Sequence, residues 1–173
     1  MKIATKIAYS NNMTLSIAGL KSLCLTNKKM VLKYLNDFYL KWSDNDLVLE
    51  KWFEMMSSLN LELEGVNHIK TLMEHKSFDI KNPNKLRSVL GAFQRENILL
   101  FHAEDSSGYN FISEQISIID KRNPQVAARL ILPLTRFKNY NEDRKYKIRK
   151  VLKNIFNQKP SIDLSEIIEK ALN

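Results

Sequence analysis

Four helix-start signals recur along this 173-residue chain at intervals close to 40 residues. Asn82-Pro83 and Asn123-Pro124 each place a capping asparagine before a proline at the first helical position. The asparagine side chain can accept a bond from a free backbone N–H there, and proline has no N–H to leave unpaired. Ser43 and Ser161 are plausible N-caps of two further helices. The four starts are 39, 41 and 38 residues apart, close to the ~40–47-residue period of HEAT and armadillo helical pairs.

Apolar residues recur at helical rather than strand spacing along nearly the whole chain. The segment 27–42 predicts a helix with a buried stripe of Met30, Val31, Tyr34, Leu35, Phe38, Tyr39 and Trp42. A second helix, starting at Asp44, would bury Leu47, Val48, Trp52, Phe53 and Met56. Further helices fit near residues 64–75, 108–122 and 142–156.

Glycine and proline are scarce, with four of each, so turns are few and an all-β sandwich is disfavoured. Gly108 marks the one conspicuous loop in the middle of the sequence. We predict a single all-α domain over residues 1–173, built as a HEAT- or armadillo-like superhelix of antiparallel helix pairs.

The sequence offers little for metal binding or nucleophilic catalysis. Cys24, the single cysteine, lies in the apolar run LKSLCL, which favours a small buried side chain over a reactive thiolate. His68 and His75 would be separated by about 10.5 Å along a helix axis, too far to share one zinc ion easily. We interpret these two and His102 as surface or interfacial histidines. The sequence therefore predicts no metal site and no catalytic residue in this chain.

The excess of positive charge is concentrated in one segment. The formal net charge is +8, and residues 134–159 supply +7 of it. Such a segment could contact nucleic acid, with Phe137 and Tyr140 available for stacking on bases. The favoured alternative is a solvated helix face whose buried side comprises Ile148, Val151, Leu152, Ile155 and Phe156. The sequence contains no known nucleic-acid-binding signature, so nucleic acid is not an expected partner.

No segment has the composition of a signal peptide or reaches the ~20 apolar residues that span a bilayer. A single cysteine demands no oxidising compartment. We therefore expect a cytoplasmic protein without a membrane partner.

Two arginines have matching positions relative to the proline starts. Arg87 follows Pro83 by four residues, and Arg129 follows Pro124 by five. If the repeats stack in parallel, both side chains could point to one surface and bind a carboxylate or a peptide carbonyl. The alternative is that each arginine bridges helix pairs through carboxylates or carbonyls of this chain.

Several sequence blocks together resemble one known family. They are FYLKW (38–42), LVLEKWF (47–53), FDIKNPNKLRSVLGAF (78–93), FHAEDSSGY (101–109) and NPQVAARL (123–130). In this order they look like the C-terminal helical domain of the bacterial aminopeptidase N family, zinc-dependent alanyl aminopeptidases of the gluzincin class. The sequence departs from the usual family pattern at Ser106, where glycine is common, and at Lys85, where arginine is common.

The resemblance implies part of an enzyme that removes N-terminal residues from peptides. Its zinc would be held by an H-E-x-x-H helix that this chain lacks, so no cofactor is expected here. The implied partners are the catalytic domain and peptide substrates.

The resemblance also carries over to individual residues. Arg87 in the NPN-x-x-R block and Arg129 in the NPQVA-x-R block match arginines of the family pattern. This implies that they face the cavity and contact the far side of a bound peptide. We expect a domain that caps the active-site cavity and gates or orients substrates. The alternative is a free-standing helical-repeat module that binds a partner protein or nucleic acid.

Overall fold

The computed structural model describes residues 2–24, 28–61 and 65–173. In these ranges the chain forms helices and no β-strand, which confirms the all-α prediction. The side chain of Met30, predicted to be buried, lies outside the described residues.

Two compact units make up the chain. The first comprises Met1–Asp79 and Asn84–Asn97, and the second comprises Ile80–Pro83 and Ile98–Asn173. That they act as one domain over residues 1–173 stays a prediction.

Helix α4 organises the core of the first unit. The helices in this part of the chain are α1 (Lys2–Ala8), α2 (Met13–Cys24), α3 (Lys28–Trp42), α4 (Asp46–Ser58), α5 (Asn67–Met73), α6 (Pro83–Leu86) and α7 (Ala92–Glu96), with a π-helical turn at Arg87–Gly91 between the last two. Helix α4 packs against α2, α3, α5, the π turn and α7. Its Trp52 and Phe53 are buried, and the Trp52 indole N–H donates to the carbonyl of Leu35 at 3.0 Å. Each buried aromatic side chain removes a large apolar area from water.

The start of α4 differs from the prediction in two ways. The N-cap is Asn45 rather than Ser43, because the Asn45 side chain accepts from the backbone N–H groups of Leu47 and Val48. This moves the helix start from Asp44 to Asp46. Leu47 was predicted to be buried but is 71% exposed. Leu49 and Met55 are buried on this helix instead.

The second unit is built from six α-helices and a short 3₁₀ turn in the described part of the chain. The helices are α8 (Ile98–Phe101), α9 (Ser107–Asp120), α10 (Pro124–Leu130), α11 (Leu132–Thr135), α12 (Glu142–Asn157) and α13 (Ile162–Leu172), with the 3₁₀ turn at Phe137–Asn139. The predicted N-caps Asn123 and Ser161 are confirmed: their side chains accept from the backbone N–H groups of Val126 and Leu164. Helix α10 packs against α9 and α13, which also contacts α12.

One prediction in this unit was wrong and another was confirmed. Gly108 lies in the first turn of α9, directly after the loop that it was predicted to mark. Phe156 is 39% exposed, although Ile148, Val151, Leu152 and Ile155 are buried as predicted. Phe156 directly follows Ile155 in sequence, and a helix rotates its side chains by about 100° per residue, so Phe156 lies at the edge of the buried stripe.

Candidate functional site

Arg87 is the first residue of an irregular helical turn. Residues Arg87–Gly91 form one π-helical turn, closed by a hydrogen bond from the Ala92 N–H to the Arg87 carbonyl. Single π turns are rare in helices and occur frequently at functional sites. The short helix α6 runs from Pro83 to Leu86 and directly precedes this turn. The helix start predicted at Pro83 therefore sets the position of Arg87.

The Arg87 side chain is exposed but held in a defined position. Its Nη2 donates to Oδ1 of Asn84 at 2.7 Å. It lines a small pocket of about 80 Å³, whose other walls include Glu50, Glu54 and Arg95. Because Asn84 orients the guanidinium without neutralising it, the remaining N–H donors can bind a carboxylate or a carbonyl group.

Arg129 lies near the end of α10 and is exposed. Among the described residues, its guanidinium has no hydrogen bond and no ion pair. The alternative raised by the sequence was that Arg129 bridges helix pairs through carboxylates or carbonyls. The described residues form no such bridge. Arg87 belongs to the first unit and Arg129 to the second. That the two side chains share one surface stays a prediction.

Lys85 is buried two residues before the π turn. Its side chain is 3% exposed, and Nζ donates to Oδ1 of Asp46 at 3.1 Å. The same ammonium lies 5.5 Å from the centre of the Phe53 ring. Here a buried cation is compensated by a carboxylate and an aromatic face. Lys85 therefore anchors the short helix α6, which directly precedes the π turn that carries Arg87.

His68 is an interfacial residue between α5 and α4, one of the two positions that the sequence left open for it. This residue is 5% exposed, and its Nε2 lies 2.8 Å from the carbonyl oxygen of Met56. The half-buried His75 ring is surrounded by the rings of Tyr39, Trp52 and Phe53, with centroids 5.2, 5.2 and 5.5 Å away. Burial lowers the pKa of His75. Both histidines thus contribute to the packing of the first unit.

His102 belongs to a second polar site, which the sequence did not predict. Its Nδ1 forms a 2.6 Å hydrogen bond with the hydroxyl of Tyr109, which is fully buried. Burial raises the pKa of Tyr109 to about 12, and burial together with the charge of Arg144 lowers the pKa of His102. The block FHAEDSSGY contains both His102 and Tyr109, but no spacing rule connects them with Arg144.

The loop between His102 and Tyr109 has a strained residue. Ser106 has φ 64° and ψ 12°, the left-handed region that disfavours most residues with a side chain. Before it, the Asp105 carboxylate accepts from the backbone N–H of Ser107 at 2.9 Å, and this bond lowers the pKa of Asp105. The turn therefore places a serine at a positive φ that glycine would adopt without strain.

The basic segment folds as a solvated helix face. Lys145 is paired with Glu142, and Lys147 with Asp143, both along α12. Phe137 is 1% exposed, so it cannot stack on a base. The structure therefore matches the interpretation of this segment as an amphipathic helix.

The described residues contain neither a metal-binding cluster nor a membrane-spanning helix. There, no group of three His, Cys, Asp or Glu side chains could hold a metal ion. In the same ranges, no helix is long and apolar enough to cross a membrane.

Comparison with known families gives a match over the full sequence. Residues 1–173 match a family described as a domain of unknown function (DUF3458_C) with ARM repeats. The chain belongs to the DUF3458_C family. The ARM-repeat description agrees with the period of about 40 residues in the helix starts.

Relatives of this DUF3458_C domain are aminopeptidases. It is 38% identical over 171 residues to aminopeptidase N of Escherichia coli K12, covering 98% of this chain and 20% of that protein. It is 37% identical to aminopeptidase N of Haemophilus influenzae, covering 94% of this chain and 19% of that protein.

A solved structure has the same fold. Legionella pneumophila aminopeptidase A, determined in complex with aspartic acid, superposes with a TM-score of 0.88 at 29% identity. The match covers 99% of this chain and 21% of that one. The chain is thus homologous to the C-terminal part of these enzymes and spans about a fifth of their length.

Proposed function

We propose that this chain is the C-terminal domain of a bacterial zinc metallo-aminopeptidase, an enzyme that removes N-terminal amino acids from peptides in the cytoplasm. The homology to aminopeptidase N over 98% of the chain carries this proposal. Zinc and the bond-breaking groups are assigned to the catalytic domain. The residues of this chain bind and orient the peptide substrate and exclude water from the cavity.

In this proposal the domain caps the active-site cavity and limits access to it. Enclosing a cavity removes water from the reacting groups and fixes the position of the substrate. Arg87 and Arg129 are assigned to the backbone or carboxylate of the peptide beyond the bond that is cleaved. Their exposure and the orientation of Arg87 by Asn84 support this role.

Exposed apolar side chains support docking onto the catalytic domain. Ile98 and Leu99, neighbours on α8, are 51% and 72% exposed, and Ile162 on α13 is 77% exposed. Adjacent large apolar residues at a surface are typical of an interface when they form a patch. We assign Ile98 and Leu99 to contact with the catalytic domain.

The arginine assignment predicts a selective loss of peptide turnover. In the full enzyme, we expect Arg87→Ala and Arg129→Ala each to lower kcat/KM for peptides about tenfold, because a charge-assisted hydrogen bond to the substrate is lost. Turnover of a single-residue amide is expected to change less than about twofold, since this substrate does not reach either arginine. The measurement is kcat/KM for alanyl peptides and for an alanyl amide.

Arg136→Ala is the matched control, because Arg136 is also exposed and has no ion pair among the described residues. It should leave both substrates unaffected. Equal losses for peptides and amides in Arg87→Ala and Arg129→Ala would contradict the role in peptide binding, while homology to aminopeptidases would stand.

A further inference from the structure

A pocket of about 320 Å³ lies in the second unit and uses neither Arg87 nor Arg129. Its volume is at the lower end of the range found for small-molecule sites. The residues that line it come from the segment after α8, from α9 and from the start of α12, and they include His102, Glu104, Tyr109, Asp143, Arg144 and Lys147.

The Arg144 guanidinium forms no ion pair with the described residues. Its backbone N–H donates to the capping Asn141 side chain, but no hydrogen bond or ion pair of its guanidinium is found in the described ranges. The other cation of the pocket, Lys147, is paired with Asp143. A half-buried guanidinium with free donors is well suited to bidentate binding of a carboxylate.

The aromatic side of the pocket supplies neutral polar groups. The hydrogen-bonded pair of Tyr109 and His102 lies there, and the Tyr140 ring packs 5.0 Å from the His102 ring. The raised pKa of Tyr109 and the lowered pKa of His102 keep both uncharged near neutral pH. Because neither group can neutralise the positive charge of Arg144, the Arg144 guanidinium is available to bind a negatively charged group of a ligand.

The acidic residues of the pocket restrict which anion fits. Glu104 is exposed and lines the same pocket, as does Asp143. Two carboxylates repel a multiply charged anion such as phosphate, whereas Glu104 attracts an ammonium group. A ligand with one carboxylate and one ammonium group matches both the positive charge of Arg144 and the negative charge of Glu104.

We propose that this pocket binds a free amino acid or a short peptide, with its carboxylate on Arg144 and its ammonium group towards Glu104. The proposal is independent of the role assigned to Arg87 and Arg129, and its test requires no catalysis.

Titration of the 173-residue chain, followed by the NMR signals of the His102 ring, tests this proposal. L-alanine and L-alanyl-L-alanine are the two zwitterions tested, one an amino acid and the other a short peptide. As controls, alaninamide lacks the carboxylate and inorganic phosphate lacks the ammonium group. We expect saturable shifts with the amino acid, the dipeptide or both, and none with alaninamide or phosphate. Equal or tighter binding of phosphate or alaninamide, or no saturable shift with either zwitterion, would overturn the proposal.

Variants of α12 show whether Arg144 is the contact. Arg144→Gln is expected to weaken binding about tenfold or more, because the charged donors are lost. Lys150→Gln is the control, since Lys150 is exposed on the same helix and does not line the pocket. Unchanged binding by Arg144→Gln would overturn the proposal.

A second readout distinguishes ligand binding from a structural defect. The positive charge of Arg144 contributes to the lowered pKa of His102, so a bound carboxylate should raise that pKa in the wild-type chain. In Arg144→Gln, the pKa of His102 should start higher and should not respond to alanine. Arg144→Lys preserves the charge but loses the planar fork, so it should bind more weakly than wild type with a His102 pKa near the wild-type value. A wild-type response in Arg144→Gln, or full-affinity binding in Arg144→Lys, would contradict the proposed contact.

Discussion

Replacing Gly108 with alanine is expected to destabilise the second unit by about 3 kcal/mol, at the upper end for overpacking of a protein interior. A Cβ atom at this position would lie 2.5 Å from the carbonyl oxygens of Leu100 and Phe101 and 2.7 Å from the Phe101 Cα. These are backbone atoms, so no side-chain rotation can relieve the overlap. The start of α9 would have to move away from α8, which also separates Tyr109 from His102.

Ser106→Gly provides a matched control two residues earlier in the same turn. Glycine adopts a positive φ without strain, so this change is expected to stabilise the chain by about 0.5–1 kcal/mol. Urea unfolding of both variants measures the two effects. A Gly108→Ala variant within about 1 kcal/mol of wild type, or a destabilised Ser106→Gly variant, would contradict the described geometry.

Asp120→Ala should cause a loss of similar size, about 2–4 kcal/mol, because two hydrogen bonds to a charged acceptor are removed. The Asp120 carboxylate, at the end of α9, accepts from the backbone N–H of Ser161 at 2.7 Å and from its hydroxyl at 2.5 Å. Asp120 is 7% exposed, so water replaces these bonds poorly. Since Ser161 is the N-cap of α13, the carboxylate fixes the start of the last helix.

Amide hydrogen exchange in α13, together with urea unfolding, measures this effect. Asp163→Asn is the control, because Asp163 is an exposed acidic residue in the first turn of the same helix. It should change stability little. Similar losses in Asp163→Asn and Asp120→Ala would show that general electrostatics at the helix start, rather than the bond to Ser161, stabilises α13.

Local signals made the helix starts and the fold class predictable from the sequence. Asn123 and Ser161 cap their helices through bonds to residues three positions ahead, so the full interaction lies within one short segment. Capping at Ser43 was predicted incorrectly because Asn45 offers a competing cap two residues later. Leu47 is exposed because the buried face of α4 is formed by Val48, Leu49, Trp52, Phe53 and Met55.

Long-range contacts explain what the sequence could not show. Asp120 meets Ser161 across 41 residues, and Lys85 meets Asp46 across 39. Arg144 belongs to the pocket of His102 because α12 packs against α9. Such pairings depend on tertiary packing, which helical periodicity does not encode. The resemblance drew attention to Arg87 and Arg129, but it did not point to the His102 pocket.

The proposed role as a non-catalytic cap is tested most directly by hydrolysis of an alanyl amide. The three samples are the purified chain, a matching catalytic core that lacks this domain, and their mixture. We predict no hydrolysis by the chain alone and a gain in activity or stability of the core upon mixing. Hydrolysis by the chain alone that a chelator abolishes would contradict this account, as would a core that is unaffected by the chain.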